Sequence, residues 1–560
     1  MPGRPWLGYF RPHPGSETPS WMRLFVAAVS GAALSFSFTG FYLSIYSWVC
    51  VGVLVIVLFG ARPLVAFGCG FLHGLCFVLT SVPWIAKVLA VHGGLSIAGG
   101  WGILLLIGTV WAAANGGVTW AIHRLSLRSI TLACIGTPFL WVLLEMFRTR
   151  LPEISFPWNL LGYPAAANAA LVQLTTITGI YGLSFVVASF NALLAWCDAE
   201  TKHSPKRRLT ILASATMLVI IVMLVGPRFV PQAPSNHAAR AVQLNFPEVD
   251  EYPAHWFLVH ASDMDEIQRL SLAPSAHHPD LLVWPEAPAP FSYQDVEFAH
   301  LASSLAIRFG NPFIVGVVEW KPETVSEGGT NHTIMAPYNS ALMFDAQGRR
   351  VFSYDKVHLV PFGEYEPFPL IHRVVSNVSS EVGGFRKGTK YSVGRFANGY
   401  SFGVFICYEA IYPNEIRRFA ANGAQLFVNI SNDGWFGHSS AAEQHLRMAR
   451  VRAVENRRWI VRTTNSGITA SIDPYGRIFR ALPRDVRAAA DLPYDFRTNE
   501  TIYTRFGDWF AWLCVLVSVI LVISSWKPGL NIPVKFAASR ETNEPKKREN
   551  SLKMDEPNDS

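Results

Sequence analysis

The sequence contains little charge. Asp, Glu, Lys and Arg make up only 16% of its 560 residues, whereas a soluble chain usually carries about 25%. Half of the residues are hydrophobic, and 37 Phe and 18 Trp are present. This composition argues against an ordinary soluble protein and favours an integral membrane protein.

Several sequence patterns are missing. The chain has no internal repeat, no GxGxxG stretch and no P-loop, so the usual signatures of nucleotide binding are absent. Basic residues are not interleaved with aromatic ones in the manner of nucleic-acid-binding segments. The net charge of +7 comes largely from loops predicted to face the cytoplasm and from the C-terminal tail. It suits an anionic inner leaflet better than a nucleic acid.

Cysteine is scarce outside the apolar stretches. Six of the seven cysteines lie in segments that look membrane-embedded, namely Cys50, Cys69, Cys76, Cys134, Cys197 and Cys514. Cys407 is the only cysteine of the large polar segment, where it has no disulfide partner and too few companions for a thiolate metal site. It is therefore either a nucleophile or an inert buried thiol.

Eight apolar stretches predict membrane-spanning helices. Their approximate cores are 23–38, 43–60, 64–84, 95–121, 129–147, 170–197, 208–226 and 507–525. Lys and Arg are concentrated on the side of the N-terminus, which the positive-inside rule assigns to the cytoplasm. We therefore predict five parts: a cytoplasmic segment (1–22), a seven-helix region (23–227), a domain outside the membrane (228–505), the last helix (506–526) and a disordered cytoplasmic tail (527–560).

The segment 228–505 alternates short β-rich runs with helical stretches. Strands are predicted at 241–244, 281–284, 313–318, 402–406, 426–430 and 467–473, a hairpin at 340–344 and 351–354, and helices at 256–272, 301–309 and 443–456. This mixture predicts one α/β sandwich domain attached to a membrane α-helical bundle.

Three polar residues stand at the ends of predicted strands: Glu286, Lys356 and Cys407. A thiolate is a nucleophile, and a nearby cation lowers its pKa. A carboxylate within reach can accept the thiol proton and return it to a leaving group, while the ammonium can stabilise an oxyanion. This chemistry needs no metal and no organic cofactor.

Other interpretations of single residues stay open. Glu286 and Lys356, taken alone, also fit a solvated turn and a surface charge. Glu145 and Arg148 stand near the end of a predicted membrane helix, where polar residues are usually functional or paired. Arg148 would hold a phospholipid phosphate or form an ion pair at the membrane interface.

Several motifs then point to a known family. WPE (284–286), KVHLVPFGE (356–364) and ICYE (406–409) resemble the Glu-Lys-Cys triad of the nitrilase, or carbon–nitrogen hydrolase, superfamily. Three further segments narrow the resemblance to one family within this superfamily: NISNDGWFG (429–437), RAVEN (452–456) and RTTNSGI (462–468). So do FPW (156–158), GIYGLSF (179–185) and YTRFGDW (503–509) in the membrane half. Together they resemble the bacterial apolipoprotein N-acyltransferases over about residues 20–525.

The resemblance implies an αββα sandwich on eight transmembrane helices of the bacterial inner membrane, with the catalytic domain in the periplasm. It implies transfer of a fatty acyl group from a phospholipid, typically phosphatidylethanolamine, to the α-amine of the S-diacylglyceryl cysteine of an apolipoprotein. That reaction is the last step of lipoprotein maturation. By position, Cys407 would be the nucleophile, Glu286 the general base and acid, and Lys356 the oxyanion stabiliser.

The resemblance extends to supporting residues: Glu364, Tyr408 and Glu409 match residues that the family also needs. The family carries a lid Trp soon after the first strand; gapless counting places Tyr252 there, and Trp256 lies one helical turn later. His358, close to Lys356, is the weaker candidate for a base because Glu286 fills that role in the family pattern.

Two further hypotheses compete with acyl transfer. A membrane-tethered amidase or nitrilase would use the same triad with water as the acceptor. A transporter with an external binding domain would need charged residues deep in its helices, and few occur. The Phe- and Trp-rich loops, such as Pro361-Phe362 and Trp435-Phe436, would line an acyl channel under the acyl-transfer hypothesis, or contribute ordinary core aromatics.

Overall fold

The computed structural model describes residues 18–39, 42–91, 95–248, 255–287, 289–327, 330–365, 384–479 and 481–526. Most of the predicted N-terminal segment, Tyr252 and the predicted tail 527–560 lie outside the described residues.

The α-helices before the polar domain are α1 (Ser20–Ser35), α2 (Cys50–Leu58), α3 (Pro63–Ser81), α4 (Trp84–Val91), α5 (Ile97–Ser126), α6 (Ile130–Arg148), α7 (Gly162–Ala166), α8 (Thr175–Thr178), α9 (Ile180–Ala199) and α10 (Pro205–Val225). Those that follow are α11 (Trp256–Val259), α12 (Ala261–Leu272), α13 (Val296–Phe309), α14 (Pro413–Ala421), α15 (Ala441–Asn456), α16 (Ile502–Phe506) and α17 (Trp509–Trp526).

Among the described residues, seven helices are long and apolar enough to cross a membrane. They coincide with seven of the eight predicted stretches and include α17 at the far end of the chain. The remaining stretch forms a shorter apolar helix, Leu43–Leu58. Its first part is a 3-10 helix (Tyr42–Trp48) that leads into α2. Because a 3-10 helix rises about 2.0 Å per residue and an α-helix about 1.5 Å, this segment reaches roughly 28 Å, close to the thickness of a bilayer core.

The predicted stretch 170–197 begins too early. The helix in this region is α9, which starts at Ile180, and short turns precede it. Gly179 separates them with φ 65°, and a Cβ on this residue would lie 2.5 Å from the Tyr503 ring. The backbone therefore breaks at a position where only glycine fits, although the apolar sequence continues through the break.

In its described parts, the polar segment folds into two six-stranded sheets. The strands are β1 (His237–Gln243), β2 (Leu281–Val283), β3 (Phe313–Glu327), β4 (Thr330–Phe344), β5 (Arg350–Asp355), β6 (Val393–Arg395), β7 (Ser401–Ile406), β8 (Leu426–Ser431), β9 (Ile460–Thr464), β10 (Ala470–Ile472), β11 (Ile478–Phe479) and β12 (Ala488–Tyr494). One sheet has the order β12-β1-β2-β3-β4-β5 and the other β11-β10-β9-β8-β7-β6. β1, β2 and β3 run parallel in the first sheet, as do β7, β8 and β9 in the second.

Side chains alternate across the first sheet. Leu281 and Val283 share a core with the second sheet, whereas Leu282 and Trp284 pack with α11, α12 and α13 on the outer side. Helices α14 and α15 flank the second sheet. The predicted αββα sandwich beside a membrane bundle is thus confirmed. The predicted helix 256–272 is interrupted at His260, which separates α11 from α12.

The domain packs on the helical bundle through α15. Met448 and Val451 belong to the same buried cluster as the membrane helices. The Trp158 indole donates a hydrogen bond to Gln444 Oε1 at 2.6 Å. Glu455 accepts one from the Ile180 backbone N–H at 2.9 Å, and it pairs with Arg452 at 2.8 Å with both side chains fully buried. The docking surface therefore combines apolar packing with a buried ion pair.

The variant Glu455→Ala is expected to lower the free energy of unfolding by about 3–5 kcal/mol, because it leaves the Arg452 guanidinium buried without its counterion. The measurement is the melting temperature of detergent-solubilised protein at pH 8, since burial raises the pKa of Glu455 to about 7 against the effect of Arg452. Glu323→Ala, which breaks the exposed pair with Arg386, is the control and should change stability by less than about 1 kcal/mol. Equal melting temperatures for the two variants would contradict the expectation.

Candidate active site

Cys407 lies at a sharp turn after the fully buried strand β7. Its φ is 47°, a left-handed conformation that is costly for a residue with a side chain. A hydrogen bond stabilises this turn: His445 Nε2 donates to the Cys407 carbonyl at 2.9 Å. His445 Nδ1 lies 3.0 Å from Asp433 Oδ1, and Arg462 donates to the other Asp433 oxygen at 2.6 Å. The strained turn thus rests on a buried, charge-paired support.

Glu286 and Lys356 contact each other, and both charges act on Cys407. Lys356 Nζ lies 3.1 Å from Glu286 Oε1 and 3.0 Å from Glu364 Oε1. Asn339 Nδ2 donates to the same two carboxylates, at 2.7 Å to Glu286 and 2.6 Å to Glu364. The second Glu286 oxygen accepts from the Asn432 backbone N–H at 2.8 Å. These bonds fix the Glu286 carboxylate and the Lys356 ammonium in one orientation.

Strand direction explains why these residues meet. Glu286 follows β2, Lys356 follows β5, and Cys407 follows β7. β5 is antiparallel to β4, which is antiparallel to β3, so β5 runs in the direction of β2. The carboxyl ends of β2 and β5 therefore lie at one edge of the first sheet. Asn432, which follows β8, donates to Glu286, and β7 is parallel to β8, so the carboxyl end of β7 lies at the same edge of the sandwich. Loops at such edges commonly carry functional side chains.

The environment of Cys407 favours the neutral thiol in the resting enzyme. Burial and the Glu286 carboxylate raise the pKa of Cys407 above that of an ordinary thiol, against the lowering effect of Lys356. Burial lowers the pKa of Lys356, but the carboxylates of Glu286 and Glu364 outweigh this effect and raise the pKa above its ordinary value. The resting site thus holds a neutral thiol beside a fixed cation and a carboxylate. Such a thiol needs a base before it can attack.

Glu409 connects the cysteine turn to the lysine segment. One carboxylate oxygen accepts from the Ile406 N–H at 2.7 Å. The other accepts from the Tyr354 hydroxyl at 2.7 Å and from the Val357 N–H at 2.8 Å. Burial raises the pKa of Glu409 to about 7 in spite of these hydrogen bonds. The structure thus places the carboxylate where it aligns two loops, and Tyr408, also buried, lies beside it in the same turn.

The remaining candidates lie elsewhere or have other partners. His358 Nδ1 lies 2.8 Å from Glu415 Oε1, and its ring stacks on Tyr412. Trp256 is buried among the aromatic rings under the first sheet, while Tyr252 is outside the described residues. His358 is thus engaged with Glu415 and Tyr412, and Trp256 belongs to the core beneath the first sheet.

The aromatic pair Trp435-Phe436 divides between two environments. Phe436 packs edge-on against Trp84 of the bundle, with ring centroids 4.9 Å apart, whereas Trp435 remains 38% exposed. Phe436 is therefore a core aromatic at the junction of bundle and domain. Phe362 has φ 62° and lies in the loop between Lys356 and Glu364.

Arg148 is engaged within the protein. Its guanidinium donates to the Trp158 carbonyl at 3.0 Å and to the Asn159 carbonyl at 3.4 Å. Its neighbour Glu145 accepts from the Leu161 N–H at 2.7 Å. Both side chains line a cavity of about 40 Å³ in the bundle. These contacts give Arg148 a role in holding the loop after α6.

Several residues at this site were not predicted from the sequence: Asn339, Asn432 and His445, described above, and Glu248 and Asn465, which are joined to Asn432 by hydrogen bonds. Asn432 and Asn465 directly follow β8 and β9, so their position at strand ends is the same signal that singled out Glu286. Asn339 lies within β4 and His445 within α15, where no comparable sequence signal exists.

The arrangement is suited to acyl chemistry. A thiol at a strained turn, a carboxylate fixed by three donors and a buried ammonium supply a nucleophile, a proton acceptor and a cation for a developing oxyanion. The loop that carries Trp158 contacts α15 next to this site: the Trp158 indole donates to Gln444, and its ring stacks on His445. The fold and the site together define a membrane-bound enzyme with a carbon–nitrogen hydrolase type of domain.

Comparisons with known proteins agree with this class. The family model "Carbon-nitrogen hydrolase" matches residues 239–493, and "Apolipoprotein N-acyltransferase N-terminal domain" matches residues 30–193. An apolipoprotein N-acyltransferase of Geobacter metallireducens is 31% identical over 90% of this chain and 95% of its own length. One from Brucella melitensis is 28% identical over 89% of this chain and 94% of its own length.

The chain belongs to the apolipoprotein N-acyltransferase family. It is accordingly a multi-pass bacterial membrane enzyme of the acyltransferase class, and this assignment is favoured over the amidase alternative. Among solved structures, an amidase from Nesterenkonia sp. is 19% identical, covers 48% of this chain and 94% of its own, and has a TM-score of 0.33. That similarity is too low to bear on the reaction.

Proposed function

We propose that the protein transfers a fatty acyl group from a phospholipid of the phosphatidylethanolamine type to the N-terminal amine of S-diacylglyceryl-cysteine apolipoproteins. A thioester on Cys407 is the intermediate. The observation that carries this proposal is the juxtaposition of Cys407 with the buried pair of Glu286 and Lys356, whose charged atoms lie 3.1 Å apart. Family membership supplies the substrate class.

In the first half-reaction, Glu286 takes the proton of the Cys407 thiol, and the thiolate attacks the ester carbonyl of the phospholipid. Lys356 stabilises the oxyanion of the tetrahedral intermediate. Glu286 then returns the proton to the departing glycerol oxygen, so a lysophospholipid leaves and the acyl group remains on sulfur. Splitting the transfer into two displacements at one carbonyl lowers the barrier of each.

In the second half-reaction, the acceptor amine attacks the thioester carbonyl. Lys356 again stabilises the oxyanion, and Glu286 passes the amine proton to the departing thiolate. The products are an N-acylated lipoprotein and the free thiol. Glu364 holds Lys356 through both steps by an ion pair at 3.0 Å, and Asn339 holds Glu286 by a hydrogen bond at 2.7 Å. Asn339 also donates to Glu364 at 2.6 Å, so the two supporting residues are linked to each other.

We further propose the membrane arrangement predicted above, with residues 228–505 on the periplasmic side of the inner membrane and residues 1–22 and 527–560 in the cytoplasm. Eight crossings, including the short helix Leu43–Leu58, place both ends on one side. The docking of the domain on the bundle through α15 supports a site close to the membrane surface, where both lipid-anchored substrates arrive by lateral diffusion.

The acyl donor can be tested on the purified, detergent-solubilised protein with phosphatidylethanolamine and no acceptor. We expect intact mass spectrometry to show one added acyl group, which neutral hydroxylamine removes, because a thioester has no acceptor to react with. Release of free fatty acid without an adduct would instead indicate that water is the acceptor and would favour a hydrolase. Absence of both products from a folded protein would rule out this donor.

A further inference from the structure

A second carboxylate, that of Glu248, lies beside the proposed catalytic residues. Glu248 follows β1, whose carboxyl end lies at the same edge as that of β2. Asn432 Nδ2 donates to Glu248 Oε2 at 3.0 Å, and Asn465 Nδ2 donates to Oε1 at 3.1 Å. The two asparagines are buried, at 2% and 0% exposure. The carboxylate is thus held in a fixed position.

Asn432 connects this carboxylate to the general base. Its backbone N–H donates to Glu286 while its side-chain amide donates to Glu248. The negative charges of Glu248 and Glu286 are close enough to act on each other. Gly434 leaves room for this arrangement, because a Cβ at that position would lie 2.3 Å from Glu248 Oε1.

The described residues around Glu248 provide no ion-pair partner for its carboxylate. Both of its side-chain partners are neutral amides, and no Lys, Arg or His forms an ion pair with it within the described part of the chain. Burial, reinforced by the charge of Glu286, raises the pKa of Glu248 to about 7 although the two amides lower it. A half-buried carboxylate without a counterion is a suitable partner for a cationic ligand.

The neighbouring Lys, Arg and His side chains that the structure describes are already bound to other groups. Lys356 is bound by Glu286 and Glu364, and Arg462 pairs with Asp433. His445 contacts Asp433 and the Cys407 carbonyl. Glu286 is therefore the charged group that acts on Glu248. Among the residues that the structure describes, no cation neutralises Glu248, so its carboxylate is open to a positively charged ligand.

We propose that Glu248 binds the α-ammonium group of the incoming acceptor and removes its first proton. This inference rests on the proposed function, and it names the group that prepares the amine for the second half-reaction. An ammonium cannot attack a thioester, because its nitrogen has no free electron pair. At neutral pH an α-amine with an ordinary pKa of about 7.7–8.0 is mostly protonated.

Two protons leave the acceptor nitrogen, and a different carboxylate accepts each of them. The ammonium gives one proton to the Glu248 carboxylate and becomes a neutral amine. The nitrogen then forms the amide bond as the carbon–sulfur bond breaks, and its second proton passes through Glu286 to the Cys407 sulfur. Glu248 finally releases its proton to solvent. One proton is set free for each acyl group transferred.

The test separates the two half-reactions in the Glu248→Gln variant, which keeps the shape of the side chain and removes its charge. Thioester formation from phosphatidylethanolamine should keep the wild-type rate. Transfer from the thioester to a synthetic peptide with an N-terminal S-diacylglyceryl cysteine should fall about tenfold at pH 7, because only about a tenth of an amine with a pKa near 8 is neutral there. At pH 9 the rate should return to within about twofold of wild type.

Matched variants exclude a structural cause. Glu248→Asp keeps the carboxylate and should keep the wild-type pH profile at a reduced rate. Glu297→Gln, at an exposed position in the first turn of α13, should match wild type throughout. Hydroxylamine, which is uncharged at pH 7, should cleave the thioester at equal rates in wild type and Glu248→Gln.

Two results would overturn the inference: a loss of transfer in Glu248→Gln that is equal at pH 7 and pH 9, or a pH profile identical to wild type. Slower thioester formation in this variant would also overturn it, since it would assign Glu248 to the first half-reaction. Failure of the wild-type enzyme to form any thioester would instead overturn the proposed function. The two failures are therefore distinguishable.

Discussion

The variant Cys407→Ala is expected to be folded, to form no acyl adduct with phosphatidylethanolamine and to acylate no acceptor. The Cys407 sulfur is the atom that would carry the acyl group, and the variant lacks it. Removing the nucleophile from a comparable catalytic unit costs about 10⁶-fold in turnover number. The residual rate should therefore be indistinguishable from background.

The fold should tolerate this change. Alanine and cysteine differ by one atom, and both occupy the left-handed backbone conformation at a similar cost. The hydrogen bond from His445 goes to the backbone carbonyl and is independent of the side chain. A melting temperature within a few degrees of wild type would demonstrate that the fold is intact.

The control for this experiment is Cys76→Ala, which removes a partly buried thiol of α3. It should form the adduct at the normal rate, because Cys76 lies outside the proposed site. Full N-acylation by Cys407→Ala, or an adduct that persists there and disappears in Cys76→Ala, would refute the proposed intermediate.

The variant Lys356→Met should lower the turnover number by about 10²–10³-fold, the usual effect of removing one donor to an oxyanion. It should also reduce stability by about 3–5 kcal/mol, because Glu286 and Glu364 would lose their shared cation and keep only uncharged donors. Both effects follow from one ammonium group, so turnover number alone cannot separate them.

The double variant Lys356→Met/Glu364→Gln separates the two effects. Replacing Glu364 by its neutral amide removes the excess charge, so the melting temperature should rise relative to the single variant. The turnover number should stay low, because the cation for the oxyanion is still missing. Recovery of activity together with stability would show that Lys356 acts only on the fold, and an unchanged turnover number in the single variant would remove it from the site.

Much of the fold follows from the sequence because its signals are local. Membrane helices are long apolar runs, and the buried strands β2, β7 and β8 are short apolar runs with polar residues at their ends. The predictions that failed concern features that depend on tertiary contacts. Only the packing of Tyr503 against Gly179 reveals where α9 begins. β3 and β4 each extend over 15 residues, well beyond their apolar segments, because they pair with each other.

The site was predictable to the same extent. Glu286, Lys356 and Cys407 are visible in the sequence because each ends a strand, and the topology brings these ends to one edge. The residues that orient them are not visible in this way. Asn339 points into the site from within a strand, and His445 reaches the Cys407 carbonyl from within a helix. Their function depends on contacts between distant parts of the chain, which no local pattern encodes.

The docking of α15 has a consequence for attempts to isolate the polar domain as a water-soluble fragment. Met448, Val451 and Val454 are covered by the membrane helices, and cutting the chain at both ends of the domain would uncover them together. An exposed apolar patch of this kind promotes self-association. Such a fragment would still need detergent or lipid to stay monomeric. Replacing these three residues by polar ones would be needed before it could stay monomeric in water.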